Sequence, residues 1–189
     1  MIGAITAGLY AGGVPPVTNS YESIATVTVG SGGSSSISFS SIPSTFKHLQ
    51  VRCVSKATAA GNGYSMIVAA NSDTTVANYR SHYIEGNGSS AVAGTYQSEG
   101  GAYFVGGSTG AGTSSEWFGA TVFDVVDYQA TNKNKTFKAL TAHDRNGAGN
   151  IHFSSAVWLN TSAITSLTIS LAGSNLAENS KFALYGIKG

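Results

Sequence analysis

The groups in this chain that are able to do chemistry are few and scattered. Its histidines stand at 48, 82, 143 and 152 and its one cysteine at 53, with no spacing that would set three or four of them around a zinc ion. Asp144, Asn146 and Asn150 offer oxygens from one glycine-containing loop, but the pattern lacks the bidentate carboxylate that closes a hard-cation site. It reads as a hairpin loop. Gly106, Gly107, Ser108, Thr109 and Gly110 match the letters of a nucleophile elbow. That turn needs a strand before it and a helix after it, whereas here a Ser/Gly loop follows. His143 beside Asp144 is the nearest approach to an acid/base pair, yet neighbours on a strand point to opposite faces. Asp124 and Asp127 are isolated carboxylates at a strand end, and no glycine-rich loop is followed by the lysine or helix that phosphate binding needs. The expectation is a protein that is not an enzyme and carries neither cofactor nor metal.

The remaining candidates are contact residues. Tyr64, Tyr83, Tyr96, Tyr103, Trp117 and Trp158 have faces on which sugar rings stack, and they are also the residue types that fill β cores and interfaces; the second use is the commoner. Cys53 follows Leu49 and Val51 in alternation and reads as a small core residue. Sequons at Asn87, Asn134 and Asn160 are ordinary in so Asn-, Ser- and Thr-rich a chain.

Composition narrows the partners. Charged residues make up 10% of the 189, against 24 glycines, and the net charge is +1. About a quarter of residues are charged in an ordinary soluble domain, so this surface is kept polar by hydroxyls and amides. A net charge so small generates no field to hold nucleic acid or an anionic membrane. Lys133, Lys135 and Lys138 read as solubilising a loop and its strand. The composition suits a subunit packed beside copies of itself.

The elements that must position these groups are strands. Period-two alternation, the mark of half-buried strands, begins at Tyr21: Ala25, Val27 and Val29 alternate with threonines, and Ile37 and Phe39 with serines. Between them 30–33 reads as the turn of a hairpin. Further strands are expected at 49–53, 64–70, 79–85, 102–105, 116–128, 136–144, 151–159, 163–171 and 181–187. No segment holds a 3.6 period. About ten strands without helical crossovers specify an all-β antiparallel sandwich, with a jelly roll as the expected winding and residues 21–189 as one domain. In 117–126 both alternating faces carry apolar groups, so Trp117, Phe118, Phe123 and Val125 are the candidate subunit interface.

Residues 1–20 differ. They carry no charge, place Ile2, Ile5, Leu9 and Tyr10 among glycines, and continue through Val14, Pro15, Pro16 and Val17. The first fourteen lack the basic flank of a signal peptide and are too short to span a bilayer. Disordered tails are usually polar and charged; this segment reads as an arm that orders against a partner.

The run from Tyr21 to Gly30, then Ile37 to Pro43, then His48 to Arg52, resembles a pattern in structural proteins of tailed bacteriophages. Asn78, Tyr79, His82, 86–88 and the terminal 182–189 belong to the same pattern. The resemblance implies a virion component of tail, fibre, baseplate or capsid surface, made in the host cytoplasm and built as an oligomeric sandwich. It implies no catalytic residues. Two functions follow as expectations. One is a homo-oligomeric, trimeric structural protein anchored to other virion proteins through its arm. The other is a module recognising host surface glycan; a capsid decoration protein is a further variant of the first.

Overall fold

The computed structural model describes residues 19–97, 100–111, 116–145 and 147–189. Among these residues the chain forms twelve strands and one 3-10 turn. The strands are β1 (Tyr21–Thr28), β2 (Ser36–Phe39), β3 (His48–Ser55), β4 (Tyr64–Ala70), β5 (Tyr79–Gly86) and β6 (Ala91–Gln97), followed by β7 (Ala102–Ser108), β8 (Gly119–Val126), β9 (Lys135–His143), β10 (Asn150–Trp158), β11 (Leu167–Leu171) and β12 (Lys181–Ile187). The 3-10 turn, Val76–Asn78, leads into β5. The expected arm residues Ile2, Ile5, Leu9, Tyr10, Val14, Pro15, Pro16 and Val17 lie outside the described residues.

The strands form two antiparallel sheets, one of eight in the order β1-β12-β3-β8-β9-β10-β5-β6 and one of four in the order β2-β11-β4-β7. They pack face to face as an all-β sandwich. Each long strand shows why. β9 buries Phe137, Ala139, Thr141 and His143 and turns Thr136, Lys138 and Leu140 outward. β8 buries Thr121, Phe123 and Val125 in the same way. The core between the sheets holds Leu49, Val51, Met66, Phe104, Phe123, Phe137, Trp158, Ile169 and Phe182.

Four expectations are corrected by this arrangement. β1 and β2 are not a hairpin: β1 pairs with β12 in the large sheet and β2 with β11 in the small one, so 30–33 carries the chain from one sheet to the other. Gly33, at φ +78°, passes so close to Leu176 that a Cβ would lie 2.6 Å from its carbonyl oxygen. Second, Phe123 and Val125 point into the core and are fully buried; neither is open to a neighbouring subunit. Their outward neighbours are Ala120, Val122, Asp124 and Val126. Third, β8 and β11 start later than the apolar pattern suggests, at Gly119 and Leu167. Residues 163–166 are held instead by Asn71, which donates to the Ala163 carbonyl and accepts from the backbone N–H groups of Thr165 and Ser166. Fourth, β6 was not expected. It is made mostly of small residues, and Gly94 is required where the Tyr83 ring crosses it: a Cβ there would sit 2.7 Å from Tyr83 Cε1.

Candidate functional site: an apolar sheet face and a polar cleft beside it

Because side chains on a strand alternate, antiparallel register fixes which residues line up across the outer face of the large sheet. One row runs Ile84, Phe153, Leu140, Val122 across β5, β10, β9 and β8. These side chains are 59%, 47%, 50% and 37% exposed. The row beside it, toward the β9–β10 turn, runs Ile151, Ala142, Ala120, Val54. The two rows make one apolar surface, with a shallow groove of about 530 Å³ between Ile84, Ala93, Leu140, Ile151 and Phe153. The next row is polar. His82, Ser155, Lys138, Asp124 and Gln50 follow one another; Lys138 pairs with Asp124 at 3.0 Å, and Gln50 donates to the same carboxylate at 2.8 Å. Arg52 donates to Gln50 and lies 5.8 Å from the ring centroids of Tyr21 and Tyr185. The apolar face thus has a polar border on one side.

The inner face of the same strands becomes polar toward the same end. Glu85, His152 and Thr141 share a cross-strand row, next to His143 and beneath the β7 glycines. Gly106 adopts φ +67°, and a Cβ there would meet the His152 ring at 2.3 Å. His152 Nε2 lies 3.3 Å from Glu85 Oε2, and Asn150 donates to Glu85 Oε1 at 2.5 Å. His143 Nδ1 is 3.3 Å from the Gly106 carbonyl oxygen. Arg145, from the β9–β10 loop, donates to Asn62 Oδ1 at 2.7 Å. Burial lowers the pKa of both histidines, against the opposing pull of Glu85 on His152 and of the Gly106 hydrogen bond on His143. Together these groups line a cleft of about 300 Å³.

The residues singled out in the sequence fall as follows. Ser108 is fully buried and its hydroxyl donates to the Thr109 carbonyl. His143 faces inward at the end of β9, while Asp144 accepts from the Gly147 N–H in the loop. Burial pushes the Cys53 thiol up to about 12, hydrogen bonds from Thr121 only partly opposing it. Trp158 is core and donates to Asp73 Oδ2 at 2.7 Å. Tyr83 stacks on Tyr96 with centroids 5.3 Å apart, and Tyr96 lies tilted against Tyr103 at 4.6 Å. Trp117 and Phe118 are half-buried just before β8. Asp127 is held down to about 2 by hydrogen bonds from Lys133 and then Lys47. Among the described residues no group of His, Cys, Asp or Glu is placed to hold a metal.

Sequence reading missed the cluster of Glu85, His143, Arg145 and His152. The signal was present in phase: His143 shares parity with Phe137, and His152 with Trp158, so both rings had to point inward. Comparison with family models, with curated proteins and with solved structures gives no match in any of the three.

Proposed function

We propose that this chain is a structural component of a tailed-phage virion: a homo-oligomeric tail, fibre or baseplate-associated sandwich whose copies contact one another through the outer face of the eight-stranded sheet. The observation that carries this reading is the pair of apolar rows from Ile84 to Val122 and from Ile151 to Val54. Contiguous apolar surface of this kind marks interaction sites on soluble proteins, and here it replaces the interface expected from Phe123 and Val125. The low charge of the chain supports the same reading, since little repulsion opposes packing copies together. The resemblance of 21–189 to phage structural proteins supplies the virion setting, and the apolar segment 1–17 the expected anchor to other virion proteins.

The test is the mass of the purified protein in solution beside that of Phe153→Asp. Wild type is expected to be a stable oligomer and the variant a folded monomer, because a carboxylate at the centre of the face would be desolvated on association. A monomeric wild type at micromolar concentration overturns the assembly reading. Locating the chain in imaged particles and counting its copies tests the virion setting.

A further inference from the structure

We propose that the cleft between Asn62, Glu85, Arg145 and His152 binds a sugar through neighbouring hydroxyl groups. The inference is independent of the assembly face and rests on two buried polar atoms that have no partner in the protein: His152 Nδ1 and Arg145 Nε. Buried polar groups are seldom left unpaired. Their chemistry is complementary. A carboxylate accepts only, so the imidazole proton belongs on Nε2 facing Glu85 Oε2, and Nδ1 keeps its lone pair as an acceptor. Arg145 Nε–H is a donor. A hydroxyl both donates and accepts, so the hydroxyls of one ligand suit either atom.

Three further observations favour a sugar. The charges of Glu85 and Arg145 offset each other, and a neutral ligand gains from that arrangement where an anion would face the Glu85 carboxylate. Among the described residues no aliphatic side chain lines the cleft, which disfavours an apolar ligand. The amides are already oriented, Asn62 by Arg145 and Asn150 by Glu85; this leaves the Asn62 amide nitrogen as a further donor and the Asn150 carbonyl as a further acceptor, at little cost in ordering. The volume of about 300 Å³ is some ten times the share of one water and stands at the small end of ligand sites. His152, 2% exposed, forms the floor.

The experiment is a titration of the full-length chain, followed by the side-chain NMR signals of Arg145 and His152. The probes are glucose, galactose and N-acetylglucosamine, each free and as its methyl glycoside, with inorganic phosphate alongside. At least one sugar is expected to give saturable shifts at millimolar concentration, confined to this cleft. Arg145→Gln and Asn62→Ala should weaken that response at least tenfold while leaving the rest of the spectrum and the oligomeric mass unchanged. Binding of a methyl glycoside identifies a chain-linked sugar, and binding of the free form alone a small metabolite; either supports the proposal. It is overturned if no sugar gives saturable shifts, if phosphate alone does, if the variants respond like wild type, or if crystals soaked in the sugars show only water between Arg145 Nε and His152 Nδ1. Oligomer formation is read separately by mass, so failure here leaves the assembly reading standing, and the reverse.

Discussion

The burial of His143 and His152 predicts a fold sensitive to mild acid. Both are buried under β7, and the charged groups around them are Glu85 on β5 with Asp144 and Arg145 in the β9–β10 loop. Burial disfavours their charged forms, so their folded pKa values lie below the ordinary 6.5. The sign follows from linkage: above 6.5 neither the folded nor the unfolded chain binds these protons, and below it the unfolded chain takes them up first. Stability is therefore full above 6.5 and falls as the pH drops toward the folded values. Melting temperature should decline between neutral pH and about pH 5, and His143→Gln with His152→Gln should flatten that decline. An unchanged slope in the double variant would place the acid sensitivity elsewhere. Asp73 is the opposite case. Burial works against its charge, but hydrogen bonds from Trp158, Asn78 and Thr75 outweigh it and bring the carboxyl to about 2. Its contribution is present above the ordinary 3.8 and lost only as the pH falls toward 2. Asp73→Ala strands the Trp158 indole N–H, and chemical denaturation at neutral pH should show a loss of about 1–3 kcal/mol.

At the scale of the element, β7 is held by close approaches of its glycines to neighbouring strands. Gly106 lies over the His152 ring, and Gly107 approaches Thr121 and Met66, where a Cβ would be 3.1 Å from Thr121 Oγ1. Gly106→Ala meets both a positive φ and the imidazole. Its expected cost is about 1–3 kcal/mol, with amide exchange rising first in β7 and in the β9–β10 hairpin. Exchange that rises evenly over the whole sandwich would show that β7 has no separate local stability. The strands whose burial alternates strictly, β8, β9 and β10, were legible in the sequence because each buries one face only. β6 was not, since its stability comes from pairing with β5 and from the Tyr83 ring over Gly94. The assignment of β1 and β2 to different sheets was equally hidden, because a glycine-rich turn between two alternating segments looks the same whether the chain folds back or crosses over. The candidate site was half legible: the phase of His143 and His152 fixed their inward direction, but bringing Glu85, Arg145 and Asn62 to them depends on strand order, which no local pattern encodes.

For the whole molecule, the question is how a sandwich with so little charge is joined to its neighbours. On the proposed reading, the outer apolar face makes the contacts between like subunits. Across β3 and β12 its two rows run into Arg52 and Lys181, so it does not extend to the β1 edge. A second, separate contact is therefore expected from the N-terminal segment. Residues 1–17 are uncharged and include Ile2, Ile5, Leu9 and Tyr10 together with Pro15 and Pro16, a residue type whose ring restricts φ. An apolar peptide can add a strand to a sheet edge of another protein, main-chain hydrogen bonds supplying affinity and alternate side chains specificity. The core cluster and the hydrophobics packed on it begin with Ile24 and Ala25, so deletion of residues 1–17 should leave the sandwich folded. Circular dichroism and melting of the truncated protein are expected to match wild type, and so is its oligomeric mass, because the apolar face is intact. Its copy number in particles assembled in its presence should instead fall by at least tenfold. If the truncated chain fails to fold, the segment belongs to this domain's own core. If it folds and still enters particles at full occupancy, attachment runs through the sandwich faces, and Phe153→Asp becomes the variant that should abolish it.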